Sequence, residues 1–333
     1  MTRPVPRLSA ADEGATVPSP AAELTARFSA DLDRLVPGGD RLALAVSGGP
    51  DSLALLLLAA AARPGLVEAA TVDHGLRPES AGEAAMVADL CGRIGVPHAI
   101  LPVTLAEGNL QAEARGARYA ALAGWMEQRG LAALATAHHA DDQAETLLMR
   151  LNRASGVAGL AGVRARGPVP GTRLPLVRPL LEWRRAELAR TVAEAGLSAV
   201  DDPSNAADRF DRVRLRKALA TADWIDVPAL ARSAAHIGDA DLAIEWAARR
   251  EWQEAVTRAP MGLTYRPQAP RAIALRVMTR IITELDGPEP PRGSAVGRVF
   301  DALVAGQAAS IGNLVVRAGR DGWTFMKAPK RRA

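Results

Sequence analysis

Short apolar runs alternate with longer amphipathic stretches along most of this chain. Residues 21–35 repeat apolar positions at helical spacing. Residues 41–46 then predict a strand and 51–62 a helix. The alternation continues with strand 67–72, helix 79–94, strand 98–103, helix 110–129, strand 131–136 and helix 141–153. Strands alternating with helices of this length predict an α/β fold with a doubly wound parallel sheet. Residues 153–171 break the pattern with glycines and read as a loop; 182–195 is helical again, and 201–205 (DDPSN) is turn chemistry. A helical stretch over 228–256 leads to a small α+β region with helices at 270–284 and up to 305, a Pro-rich break at 288–291, and strands at 311–316 and 322–325. The organisation expected is a flexible arm (1–20), an α/β domain (21–219), a helical linker (220–257) and a C-terminal domain (258–333).

Composition narrows the class. The 333 residues suffice for about two domains, with 23% charged and 48% hydrophobic residues. No run nears the roughly 18 uninterrupted apolar residues of a membrane span. The first 20 residues carry Pro, Asp and Glu without an apolar stretch, so they read as an arm rather than a signal peptide. The lone cysteine, Cys91, forbids an internal disulfide and any Cys-x-x-Cys site. A cytoplasmic enzyme fits. Net charge is +4, and 38 of the 41 basic residues are arginine. Arginine suits phosphate and bases, yet an alanine- and arginine-rich genomic composition explains most of the bias. Position must therefore decide.

Candidate chemistry gathers where the predicted strands end. In doubly wound sheets, ligands sit beyond the carboxyl ends of the strands. After the first strand comes SGGPDS, Ser47 to Ser52, followed by an apolar helix. A glycine-rich turn into a helix N-terminus presents backbone N–H groups to an anion. Gly48 and Gly49 permit close approach, Ser47 and Ser52 add hydroxyls, and Asp51 is placed to hold Mg²⁺ beside a phosphate. No Gly-Lys-Ser/Thr follows, so this is not a Walker loop. The plain alternative is an ordinary Gly-Pro-Asp turn. After the second strand stand Asp73 and His74, or simply an Asp/His turn with Glu79 or Ser80 as helix cap. After the fourth come His138, His139, Asp141, Asp142 and Glu145. This is no standard zinc pattern; carboxylates suit Mg²⁺, and acids at a helix start also complement its dipole. Arg115 and Arg118 lie three apart on one predicted helix, where the bland reading is a solvated basic face.

SGGPDS resembles the pyrophosphate loop of the N-type ATP pyrophosphatases, which cleave ATP between the α and β phosphates. SGGPDS, VDHGLRPES, EARGARY, ATAHHADDQAETLLMRL, LVRPLLEWRRAEL, DDPSN and RVRLR stand in the order found in tRNA(Ile)-lysidine synthases. As an ordered set over about residues 42–219, the resemblance is specific. It implies adenylation by ATP of the C2 oxygen of the wobble cytidine (position 34) of a CAU-anticodon tRNA(Ile), then displacement of AMP by the ε-amine of L-lysine. The modified anticodon would read AUA instead of AUG, and tRNA identity would pass from Met to Ile. It implies that Ser47, Gly48, Gly49, Pro50, Asp51 and Ser52 bind ATP, with Asp51 on Mg²⁺ and Asp73 and His74 beside the nucleotide. Arg115, His138 and Asp141 would be catalytic, with Asp141 orienting lysine or the base and Arg115 stabilising phosphate charge. Arg212, Arg214 and Arg216 match the family's late basic segment and would bind tRNA, although Val213 replaces its usual Asn. Their bland reading is a solvated helix, offset by Asp208 and Asp211. Seven arginines against three acids over 257–298, Arg276 and Arg280 among them, mark a candidate tRNA surface. The resemblance also suggests a homodimer.

Three other readings compete. Cytidine 2-thiolation uses a similar loop but needs cysteines that a chain with Cys91 alone lacks. ATP-dependent amidation of a small molecule, as in NAD or GMP synthetases, leaves DDPSN and RVRLR unexplained. A degenerate tRNA-binding module predicts loss of loop residues, yet SGGPDS is intact.

Overall fold

The computed structural model describes residues 17–75, 80–104, 110–199 and 211–328. Most of the predicted arm and the 201–205 turn lie outside them. The chain divides into two compact units, one comprising residues up to Ala154 with Gly162–Ala235, the other Ser155–Ala161 with His236–Ala333.

The first unit is built on a six-stranded sheet. Helix α1 (Ala22–Leu35) leads to β1 (Leu42–Ala45), α2 (Pro50–Ala62), β2 (Val67–Asp73), α3 (Ser80–Arg93), β3 (His98–Pro102), α4 (Leu110–Arg129), β4 (Ala133–Ala135) and α5 (Ala140–Leu151). After a short helix α6 (Val157–Leu160) come β5 (Arg166–Pro168), β6 (Pro175–Val177), α7 (Arg185–Glu194) and α8 (Asp211–Thr221). The spatial order is β3-β2-β1-β4-β6-β5. All pairs are parallel except β5 with β6. The doubly wound expectation therefore holds. The residues read as a loop contain β5, and β6 extends the parallel sheet. Both strands have three residues and contain proline, too little for any period to show.

Strand β1 is covered on both faces, as central parallel strands are. Leu42 and Leu44 face one core with α2, α3 and α7; Ala43 faces the other with Tyr119, Leu122 and Met126 of α4. Helix α2 has Pro at its first turn, where the missing N–H costs nothing, and Ser52 to Ala59 are all buried. Truncating Leu55 or Leu56 there to alanine would cost about 2–5 kcal/mol. At the amino ends of the strands, buried Glu68 is held by Arg41 and by Arg129 at 2.9 and 3.1 Å.

Helix α9 (Val227–Ala255) is continuous over 29 residues, and the division between units falls within it. The second unit adds β7 (Val256–Ala259), β8 (Gly262–Tyr265), α10 (Arg271–Asp286), α11 (Gly293–Val304), β9 (Ala309–Ile311), β10 (Leu314–Gly319) and β11 (Gly322–Lys327). These strands form an antiparallel sheet ordered β7-β8-β11-β10-β9. The hairpin β7–β8 was not anticipated: its alternation over four residues per strand is too short to stand out. Tyr265 and Phe300 pack edge-on against Trp323, with ring centroids 6.0 and 5.3 Å away. Glu251 accepts from Tyr265 Oη at 3.1 Å and from the Gln268 and Ala269 N–H groups at 2.7 and 3.1 Å.

Candidate active site

A cleft of about 440 Å³ opens beyond the carboxyl ends of β1, β2 and β4. Its floor is the turn between β1 and α2. Gly48 takes φ +84, which favours glycine, and lets the chain reverse into the helix. Ser52 pins this turn, accepting the Ser47 N–H at 3.1 Å and donating to the Gly49 carbonyl at 2.9 Å. The first turn of α2 thereby offers its unpaired N–H groups and dipole to the cleft.

Opposite stands the start of α5. His139 is buried and flanked by three carboxylates: Nε2 lies 3.4 Å from Asp51 Oδ2 and 3.6 Å from Asp142 Oδ2, and Nδ1 lies 3.7 Å from Asp141 Oδ2. Burial opposes its charge, but the Asp51 hydrogen bond and the three carboxylates prevail and raise its pKa. His138 is the reverse. Burial first, then the Arg178 charge, push it down to about 4, with Asp142 opposing. Its Nδ1 pairs with Thr136 Oγ1 at 3.0 Å. The two adjacent histidines are thus shifted in opposite directions.

Asp142 lines the cleft, whereas Asp141 does not. The Asp141 carboxylate accepts the Arg185 N–H at 2.8 Å and both Arg184 Nε and Nη2 at 3.2 Å. Burial alone would raise its pKa, but these hydrogen bonds and the Arg184 charge lower it. The residue expected to orient lysine is therefore engaged by the start of α7, and Asp142 is the acid facing the cleft. One residue of helix, about 100° of rotation, separates the two roles.

Arg115, Arg118, Arg185, Arg212 and Arg216 all line the cleft. Buried Glu145 accepts from Arg212 Nε and Arg216 Nε at 2.8 Å each, and Asp142 from Arg212 Nη2 at 3.3 Å. Arg212 and Arg216, expected on a tRNA surface, thus belong to the cleft wall. Arg214 is exposed and Val213 is buried at 7%, so the side chain in place of the usual Asn faces inward. Arg115 stacks on Tyr119 at 5.2 Å.

Asp73 and His74 stand apart from the lining residues. Asp73 accepts the Gly75 N–H at 2.9 Å and Ser80 Oγ at 2.7 Å, and these bonds lower its pKa. It thereby holds the turn after β2. His74 Nε2 faces Arg118 Nη2 at 3.3 Å; burial, then this charge, lower its pKa. His139 and Asp142 were named within the cluster after the fourth strand but given no role of their own, and Thr136 and Arg185 were not singled out from the motifs that contain them.

Among the described residues, no three His, Cys, Asp or Glu side chains could hold a metal alone. Mg²⁺ needs only one or two carboxylates beside substrate phosphates. Asp51 Oδ1, buried beside the phosphate turn without a hydrogen-bond partner, fits that role.

In the second unit, Arg276 is engaged by Asp241 and by Glu245 at 3.1 Å. Arg280 lies over Trp252 at 4.5 Å and, with Arg249 and Gln253, lines a shallow notch. Of these two arginines, Arg276 is held in ion pairs and Arg280 is stacked on an aromatic ring.

A family model described as a PP-loop domain matches residues 22–222. The chain is 48% identical over 311 residues to a tRNA(Ile)-lysidine synthase of Novosphingobium aromaticivorans, covering 92% of this chain and 94% of the relative. It is 42% identical over 303 residues to one of Zymomonas mobilis subsp. mobilis, covering 89% and 91%. Among solved structures, it resembles the U34-tRNA thiolase NcsA of Methanococcus maripaludis with its [4Fe-4S] cluster. The TM-score is 0.52 at 15% identity, covering 64% of this chain and 77% of that one, a likeness of fold alone.

Proposed function

Because this chain belongs to the tRNA(Ile)-lysidine synthase family and carries its PP-loop domain, we propose that it ligates L-lysine to C2 of the wobble cytidine of CAU-anticodon tRNA(Ile). In the first step the cytidine C2 oxygen attacks the α-phosphorus of ATP. An O–P bond forms, the α–β bridge breaks, and pyrophosphate leaves with the electron pair. In the second step the lysine ε-amine attacks C2. A C–N bond forms, AMP departs with the C2 oxygen, and the amine loses a proton.

The observation that carries this reading is one cleft joining the phosphate turn, the Asp142 carboxylate and several arginines. The turn's N–H groups and the α2 dipole bind phosphate without reorganising. Arg115 stabilises charge on the α-phosphate as the C2 oxygen attacks. Asp142 receives the ammonium of lysine and takes up its proton on attack. Neutral His138 offers a hydrogen bond to the nucleotide without adding charge. Asp51 would hold Mg²⁺, which supplies charge neutralisation of ATP when bound. The tRNA body meets Arg280 and neighbouring cations of the second unit, chiefly through phosphates.

Mass analysis of the wobble nucleoside after incubation with ATP, lysine and CAU-anticodon tRNA tests the proposal. A cytidine gaining lysine with loss of water is expected. ATP turnover with ammonia and no RNA would sink it.

A further inference from the structure

Three helix N-termini meet at one end of the cleft. His139, just before α5, faces Asp51 in the first turn of α2. Asp141, in the first turn of α5, accepts the Arg185 N–H that opens α7. The Arg184 N–H is closed by Glu187 Oε2 at 2.7 Å, and Leu188 and Val192 seat α7 in the same core as α2. The backbone at Arg184 and Arg185 is therefore held by these two hydrogen bonds, while the Arg185 guanidinium lines the cleft.

Among the cleft arginines, Arg212 and Arg216 are neutralised by Glu145, and Arg118 faces His74. Of the five, Arg115 and Arg185 alone have neither a side-chain hydrogen bond nor an ion pair among the described residues. They come from opposite faces of the sheet. Arg115 is on α4, packed on the Ala43 face; Arg185 is on α7, packed with α2 on the Leu42 and Leu44 face. The phosphate turn leads directly into α2, so Arg185 approaches from the side of the turn.

Building on the ATP-cleaving reading of the cleft, we infer that Arg185 binds the β- and γ-phosphates of ATP and the pyrophosphate they become. Asp141 acts as its positioning residue. A guanidinium fork matches two phosphate oxygens at once. As the α–β bridge breaks, the electron pair moves onto pyrophosphate, and Arg185 offsets that charge without itself exchanging a proton. Asp141 touches no substrate; it holds the backbone from which Arg185 projects.

Calorimetric titration of the full chain with inorganic pyrophosphate, alongside ATP kinetics, tests this. Arg185→Ala should weaken pyrophosphate binding about tenfold or more and raise the KM for ATP similarly. The KM for lysine and the Kd for tRNA should stay within about twofold. Arg185→Lys, which keeps charge but loses the fork, should fall between and serves if the alanine variant does not fold. Asp141→Ala should raise the KM for ATP while saturating ATP restores kcat. Unchanged pyrophosphate affinity in Arg185→Ala, or a loss confined to lysine, would overturn the assignment. A wild-type chain that binds pyrophosphate through Arg185 yet forms no lysidine would refute the ligase reading and leave Arg185 in place.

Discussion

His139 Nε2 lies 3.4 Å from Asp51 Oδ2, joining the start of α5 to the start of α2. This contact helps raise the His139 pKa, whereas burial depresses His138 to about 4. The two signs differ. Stability from a raised histidine is present below its ordinary value near 6.5 and is lost as pH rises through the raised value. Stability tied to a depressed histidine is present above 6.5 and is lost as pH falls toward 4. Urea unfolding should therefore show His139→Gln costing more at pH 6 than at pH 9. His138→Gln should remove about 2 kcal/mol of the wild-type stability loss between pH 7 and pH 5. Parallel pH profiles for both variants would refute the opposite shifts.

Asp142 and Asp141 should separate kinetically. Asp142→Asn should lower lysidine formation by about 10²–10⁴ in kcat, the range for removing a positioned acid–base group. ATP-dependent release of pyrophosphate should persist, since adenylation precedes lysine attack. Near wild-type ligation by Asp142→Asn would return the lysine role to another residue.

How far the sequence carried is clearest at this pair. The strands, the phosphate turn and the two-histidine cluster were legible because parallel core strands are apolar on both faces and turn chemistry needs Gly and Ser. Which of two consecutive aspartates faces the cleft was not. That depends on helix rotation and on Arg184, 43 residues away in the chain. The partners of Arg212 and Arg216 were hidden in the same way. Their spacing resembles a basic helix face, and only the tertiary fold brings Glu145 between them from 67 and 71 residues away. The acids that engage Arg276 were hidden likewise, lying on α9.

Glu145→Gln keeps the shape but removes the charge facing two guanidiniums. Glu145 is 2% exposed while its arginines are 46% and 31% exposed, so solvent softens the loss. A destabilisation of about 2 kcal/mol is expected in chemical denaturation. A change below about 0.5 kcal/mol would mean that α8 is held by its apolar contacts alone.

The two loop glycines should respond differently to alanine. Gly48→Ala forces a side chain into φ +84 and should cost about 1–2 kcal/mol. At Gly49 a Cβ would meet only Ser47 Oγ, at 3.8 Å. Thermal unfolding of Gly49→Ala should match wild type within about 0.5 kcal/mol, so any rise in its KM for ATP reports ligand approach. Equal melting shifts for the two would contradict the turn geometry.

Arg280→Ala should weaken tRNA binding and reduce the slope of log affinity against log salt by about 1. Arg276→Ala should instead lower stability, because Asp241 and Glu245 each lose an ion pair. Filter binding across a salt series, read beside melting temperatures, distinguishes them. A slope change for Arg276 but not Arg280 would move the RNA surface.

Strand β2 carries Glu68 near one end and Asp73 at the other. The Glu68 end is locked by Arg41 and Arg129, and the cleft opens beyond the opposite end. Durability and chemistry are thus assigned to different ends of the same seven residues. Changes at the Arg41–Glu68–Arg129 cluster can raise or lower melting temperature while leaving turnover alone. A lineage can therefore adapt to a new growth temperature without renegotiating its catalyst.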